Sequence, residues 1–219
     1  MSNRLSRIVK IDGIDGCGKS TLVHRLAAHY RDRLSVHVTS EFRGDELEQL
    51  VILGEHKQSS RRSHALFELA MSLAGDAISR EVLFATQSRT QNQHLAAIRG
   101  KFDLILSDRS SLTGLAYGHE FGEAFKQFFD WAVTPIVQED LILWLDCDVG
   151  QAAARRDQRG EGLDAVEQQG AAFQQAAAWR FQQLAEVLPQ VTAIDAQQGE
   201  AAVLEQACLA IDQLIGCSA

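Results

Sequence analysis

A chain of 219 residues, 46% of them hydrophobic, is long enough to bury one sizeable core, and its formal charge of -8 lacks the broad basic footprint that nucleic acid or an anionic membrane surface demands. Cys17, Cys147, Cys208 and Cys217 show no CxxC spacing, so neither a zinc site nor a disulfide framework is expected and a reducing cytoplasm fits. No apolar run approaches the roughly 18 residues of a membrane span, and an acidic residue interrupts the start before a signal-peptide core forms.

The first element is RIVKID (7–12), a strand by its aliphatic content, followed at once by Gly13-Ile14-Asp15-Gly16-Cys17-Gly18-Lys19-Ser20 and a helical pattern over 19–31. GxxxxGK[ST] between a strand and a helix is the context that a phosphate loop requires. Glycines let backbone N–H groups curl around phosphate oxygens, and the helix N-terminus adds its positive dipole end. Gly13, Gly16, Cys17, Gly18, Lys19, Ser20 and Thr21 are therefore expected to hold ATP, with Lys19 bridging the β and γ phosphates and the Ser20 hydroxyl helping to hold Mg²⁺. Cys17 is read as small loop filler rather than a thiol activated by the helix N-terminus. Asp15 is less generic, since a carboxylate beside bound phosphates costs energy unless it contacts a metal-bound water or an acceptor hydroxyl.

The second strand, SVHVTS (35–40), runs into the turn SEFRGD, and helices are expected over 45–53 and 62–99 with a break. DLILSD (103–108) is the third strand. It delivers Asp108 and Arg109 at its carboxyl end, where an arginine suits bidentate capture of an acceptor phosphate. Asp108 would orient that arginine or bind the hydration shell of Mg²⁺. A helix over 111–133, broken near Gly118 to Gly122, leads to the fourth strand LILWLD (141–146) and a helix over 149–157. The last elements are a helix over 166–188, the strand VTAID (191–195) and a helix over 200–215. Five strands rich in Val, Ile and Leu, separated by helical patterns, predict an α/β fold with a five-stranded parallel sheet covered on both faces. Ligands in such sheets sit beyond the carboxyl ends of the strands. With only Pro135 and Pro189 and no linker-like stretch, residues 1–219 are expected to form a single domain.

GIDGCGKST (13–21), SDRSSLTGLAY (107–117), RRDQRG (155–160) and GLDAVEQQG (162–170) occur in that order, and together the chain resembles the bacterial thymidylate kinases. These are P-loop nucleoside monophosphate kinases that move a phosphate from ATP to dTMP. The resemblance implies that Asp15 contacts the acceptor sugar or its bound water and that Arg109 grips the dTMP phosphate. It further implies that Arg155, Arg156 or Arg159, on a lid spanning about 155–167, neutralises charge on the transferring phosphoryl. Glu167 would organise the lid or the sugar site, Tyr117 would close against the deoxyribose, and the protein would be a homodimer. The usual Glu-Pro-Gly-Gly-Thr turn is here SEFRGD, which keeps Glu41 for magnesium or acceptor positioning and offers Arg43 as a phosphate contact. For the base, REVLFATQSR (80–89) offers Phe84 and Arg89 with one residue too many between them, while ALFELAMS (65–72) offers Phe67 with Met71 where an arginine would stand. Phe84 and Arg89 are preferred. The competing expectations are a deoxynucleoside kinase with Glu41 as base, a kinase for a modified dUMP, and a nucleotide-binding module without catalysis.

Overall fold

The computed structural model describes residues 5–40, 91–118, 138–159 and 166–216, and of Gly118 and Arg159 it describes the backbone. The strands are β1 (Arg7–Asp12), β2 (Val36–Ser40), β3 (Leu104–Asp108), β4 (Leu141–Asp146) and β5 (Val191–Asp195). They form one sheet in the order β2-β3-β1-β4-β5, and every neighbouring pair is parallel. Among the described residues six helices flank it: α1 (Lys19–Tyr30), α2 (91–98), α3 (Ser111–Gly118), α4 (Val149–Arg159), α5 (Ala171–Val187) and α6 (Glu200–Ile215).

The three central strands β1, β3 and β4 are buried on both faces, which is why they read as near-continuous apolar runs, while the edge strands β2 and β5 are only partly buried. Val9 and Ile11 of β1 share a core with Leu104 and Leu106 of β3, with Leu22, Val23 and Leu26 of α1, and with Ala207 and Ile211 of α6. Ile8 and Ile105 point to the opposite face and pack with Leu95 and Ile98 of α2. Lys10 is also buried in this central strand, and it ion-pairs with Glu139 at 3.0 Å. Burial opposes the charge on Glu139, yet Lys10 beside it holds that carboxyl below its ordinary range. Tyr30 closes α1 onto α6 by donating to the Cys208 carbonyl at 3.2 Å and the Asp212 carboxylate at 3.0 Å.

The expected helix over 166–188 is broken in the structure. Gly170 adopts φ 86°, outside the helical region, and it divides a single 3₁₀ turn at Glu167–Gln169 from α5. The expected helix over 149–157 continues to Arg159. The helix expected over 45–53, most of that over 62–99 and the second half of that over 111–133 lie outside the described residues.

Because β1 is central and β3 lies directly beside it, the residues following these two strands meet at one end of the sheet. Ile11 pairs with Asp108 in register, so Gly13 and Arg109 emerge side by side.

Candidate active site

The turn after β1 curls tightly before α1 begins. Gly16 has φ 90°, and a Cβ there would lie 2.3 Å from the Ala152 carbonyl oxygen of α4. Only glycine lets the loop and α4 approach so closely. Lys19 Nζ turns back over the loop, donating to the carbonyls of Gly13 at 2.9 Å and Ile14 at 2.8 Å, and it stands 3.6 Å from Asp15 Oδ1. Burial pushes the Cys17 thiol up to about 11, a direction that favours the protonated thiol.

Asp15 is the centre of the site. Its carboxylate accepts a hydrogen bond from Arg109 Nη2 and ion-pairs with that guanidinium as well as with Lys19. Burial opposes its ionisation, but Arg109 and Lys19 together hold the carboxyl far below the usual range. The Asp15 N–H donates to the Tyr117 hydroxyl at 3.0 Å, and that hydroxyl in turn lies 3.2 Å from Asp15 Oδ2 and 3.1 Å from Gln174 Oε1. Tyr117 is buried, with Phe173 and Phe181 beside its ring at centroid distances of 5.7 and 6.1 Å. Burial and the Asp15 charge push its phenol well above its ordinary range, so it remains a hydroxyl that supports Asp15.

Ser20 donates to Asp108 Oδ2, while Asp108 Oδ1 is buried with no hydrogen-bond partner among the described residues. Arg155 and Arg156 both project from α4 onto the phosphate loop. Arg155 donates to the Cys17 carbonyl at 3.3 Å and to the Ala196 carbonyl at 3.0 Å, spanning from the loop to the turn after β5. Arg156 is buried, donates to the Asp15 carbonyl and lies 4.0 Å from Glu167. Lys19, Ser20, Thr21, Asp108, Arg109, Arg155, Glu167 and Gln198 line a cleft of about 480 Å³, within the range of small-molecule sites.

Asp15, Lys19, Ser20, Asp108, Arg109, Arg155, Arg156, Glu167 and Tyr117 thus come together. Glu41, Arg43, Phe67, Phe84 and Arg89 lie outside the described residues, as does the side chain of Arg159. Two contributors were not singled out from the sequence. Gln174 reaches Tyr117 from α5, and nothing local to its sequence signals that contact. Asp12 ends β1 fully buried, bonded to Gly13, Ser110 and Thr113, and its signal is an acid closing an apolar strand immediately before the glycine turn.

Comparison with known proteins identifies the family. The model of the family described as thymidylate kinase matches residues 11–207. Among curated proteins, the chain is similar to the thymidylate kinase of Blochmanniella floridana, 24% identical over 209 residues, covering 94% of this chain and 93% of the relative. It is 30% identical to that of Synechococcus sp. (strain WH7803) over 193 residues, 82% of this chain and 83% of the relative. With the thymidylate kinase of Idiomarina loihiensis the identity is 25% over 214 residues, 95% and 98% of the two chains.

Proposed function

This chain belongs to the thymidylate kinase family, and from that premise we propose how its cleft transfers the terminal phosphoryl of ATP to dTMP. The observation that carries the assignment is the Asp15–Arg109 ion pair, which joins an acceptor-side arginine to the phosphate loop. The loop amides and Lys19 hold the ATP phosphates. Arg109 grips the dTMP phosphate by exchanging the Asp15 carboxylate for it, and the carboxylate so released faces the acceptor sugar. Arg155 stands at the ATP side, where its guanidinium offsets charge on the transferring phosphoryl, and Arg159 follows it one helical turn later. Positioning and charge neutralisation suffice for phosphoryl transfer, so no covalent residue is required. Tyr117 fixes the Asp15 backbone and side chain, and Phe84 with Arg89 serves the base.

The residues present also fit Mg²⁺. One hydroxyl and one carboxylate with a buried, unused oxygen form the sparse donor set of an ion that keeps several waters and shares phosphate oxygens. When bound, the ion supplies positive charge to the β and γ phosphates. Ser20 and Asp108 are its proposed holders. Family membership supports a homodimer, tested by light scattering for twice the 24.1 kDa of one chain. The free state of Cys17, Cys147 and Cys208 supports a cytoplasmic setting, and among the described residues no helix is long and apolar enough to cross a membrane.

The deciding experiment measures ADP release with Mg²⁺ and ATP against dTMP, dUMP, 5-substituted dUMP, dCMP, dGMP, thymidine and deoxycytidine. Preference for dTMP is expected. Silence with dTMP beside turnover of a nucleoside would overturn the acceptor assignment.

A further inference from the structure

We propose that Asp12 is the positioning residue that holds Arg109, and with it the acceptor phosphate, in register with the phosphate loop. The proposal rests on the reading of Arg109 as the acceptor arginine. Asp12 acts through the residues that it bonds, Gly13, Ser110 and Thr113.

Asp12 is the last residue of β1 and is completely buried. Its Oδ1 accepts the Gly13 N–H at 2.8 Å and the Thr113 hydroxyl at 2.7 Å. Its Oδ2 accepts the Ser110 hydroxyl at 2.6 Å and the N–H groups of Ser110 and Thr113, each at 3.0 Å. One carboxylate therefore ties the first turn of the phosphate loop to the first turn of α3. The N–H groups at a helix start have no partners within the helix, and the dipole there favours a negative charge. Five donors converging on a dry carboxylate make a site that an amide cannot reproduce. Asparagine offers one oxygen, and its NH₂ would confront donors.

Arg109 sits between these anchors in a conformation that it would not choose. Its φ is 77°, the left-handed region, which is unfavourable for a residue with a Cβ. The end of β1 holds it there from both sides. The Arg109 N–H donates to the Ile11 carbonyl at 2.8 Å, and Asp12 grips Ser110 immediately after it. That backbone aims the guanidinium at Asp15. Without the Asp12 carboxylate, the peptide after Arg109 keeps only the Ser107 hydroxyl, which donates to the Arg109 carbonyl at 3.2 Å, and residue 109 gains freedom to relax toward ordinary φ. α3 retains a separate tie to β1, because Ser111 helps hold the Glu139 carboxyl below its ordinary range and Lys10 ion-pairs with that carboxylate, so Asp12→Asn is expected to fold.

A merely structural carboxylate would weaken the protein whether or not Arg109 is present, whereas a positioning residue acts only through it. The test is a double-mutant cycle on dTMP affinity, measured calorimetrically with Asp12→Asn, Arg109→Ala and the double variant. Asp12→Asn alone is expected to weaken dTMP about tenfold or more, the scale of losing a hydrogen bond to a charged group. In the Arg109→Ala background the same change should cost less than about twofold. Equal losses in both backgrounds overturn the proposal and leave the acceptor reading intact. Unchanged dTMP affinity in Arg109→Ala alone overturns the acceptor reading itself. If Asp12→Asn fails to fold by circular dichroism, Ser110→Ala replaces it, with a loss of several-fold expected only where Arg109 is present, and equal losses again counting against the proposal.

Discussion

Asp15 gives the cleft a dependence on pH. Burial favours the neutral acid, but Arg109 and Lys19 outweigh it and hold the folded-state carboxyl below the value of about 4 that it has when unfolded. The unfolded chain therefore takes up a proton here before the folded chain does. Stability from the cluster is complete above about pH 4 and is lost progressively as the pH falls below that toward the folded value. Asp15→Asn should accordingly flatten the fall of melting temperature between about pH 5 and pH 3 in calorimetric scans. An unchanged slope would mean that the ion pairs contribute nothing. Gly16 makes a steric prediction. With φ 90° and the Ala152 carbonyl 2.3 Å from a Cβ, Gly16→Ala should lower stability by more than about 1 kcal/mol and weaken ATP binding, read by denaturant melts and calorimetry. At this scale the charged residues of the loop and of the Asp108-Arg109 pair were legible because their chemistry is written in spacing. The support given by Asp12, Gln174 and Tyr117 depends on which buried atoms meet across 57 to 102 residues of sequence. Spacing along the chain carries no record of that.

The strands were legible to within a residue at either end: burial on both faces leaves an uninterrupted aliphatic signature in β1, β3 and β4, and β-branched content marks the partly buried β2 and β5. The helix expected over 166–188 was less so. Its composition continues helical through Gly170, and the positive φ that divides it is a property of the fold. The consequence is that Glu167 leaves the axis of α5 and meets Arg156. α4 illustrates the same limit differently. Its arginines were expected on a lid spanning about 155–167; in the structure Arg156 is buried against the loop backbone and Arg155 is docked beside it. This separates anchoring from charge neutralisation along one helix. Replacing Arg155 and Arg159 by alanine while keeping Arg156 should lower kcat by about 10³-fold, the scale of losing an arginine finger, and leave the circular dichroism spectrum unaltered. Unchanged kcat at saturating ATP and dTMP would remove α4 from catalysis.

For the whole molecule, the order β2-β3-β1-β4-β5 determines how two ligands share one end of the sheet. The phosphate loop follows β1 and Arg109, the proposed acceptor arginine, follows its neighbour β3, so on that proposal either ligand would stabilise the same sheet through a different residue. Binding at a thousandfold excess over Kd adds about 4.1 kcal/mol to the folded state. In a domain of this size that corresponds to a rise of roughly 8–16 °C in melting temperature. Lys19 and Arg109 should then partition the effect. Arg109→Ala should abolish most of the rise caused by dTMP and keep that caused by a non-hydrolysable ATP analogue, and Lys19→Ala should do the reverse. Both variants must be compared with their own unliganded melts, because each leaves Asp15 with one cation fewer. If Arg109→Ala instead removed both shifts, the two sites would form a single binding unit, with the Asp15 pair as an obligatory part of the ATP site.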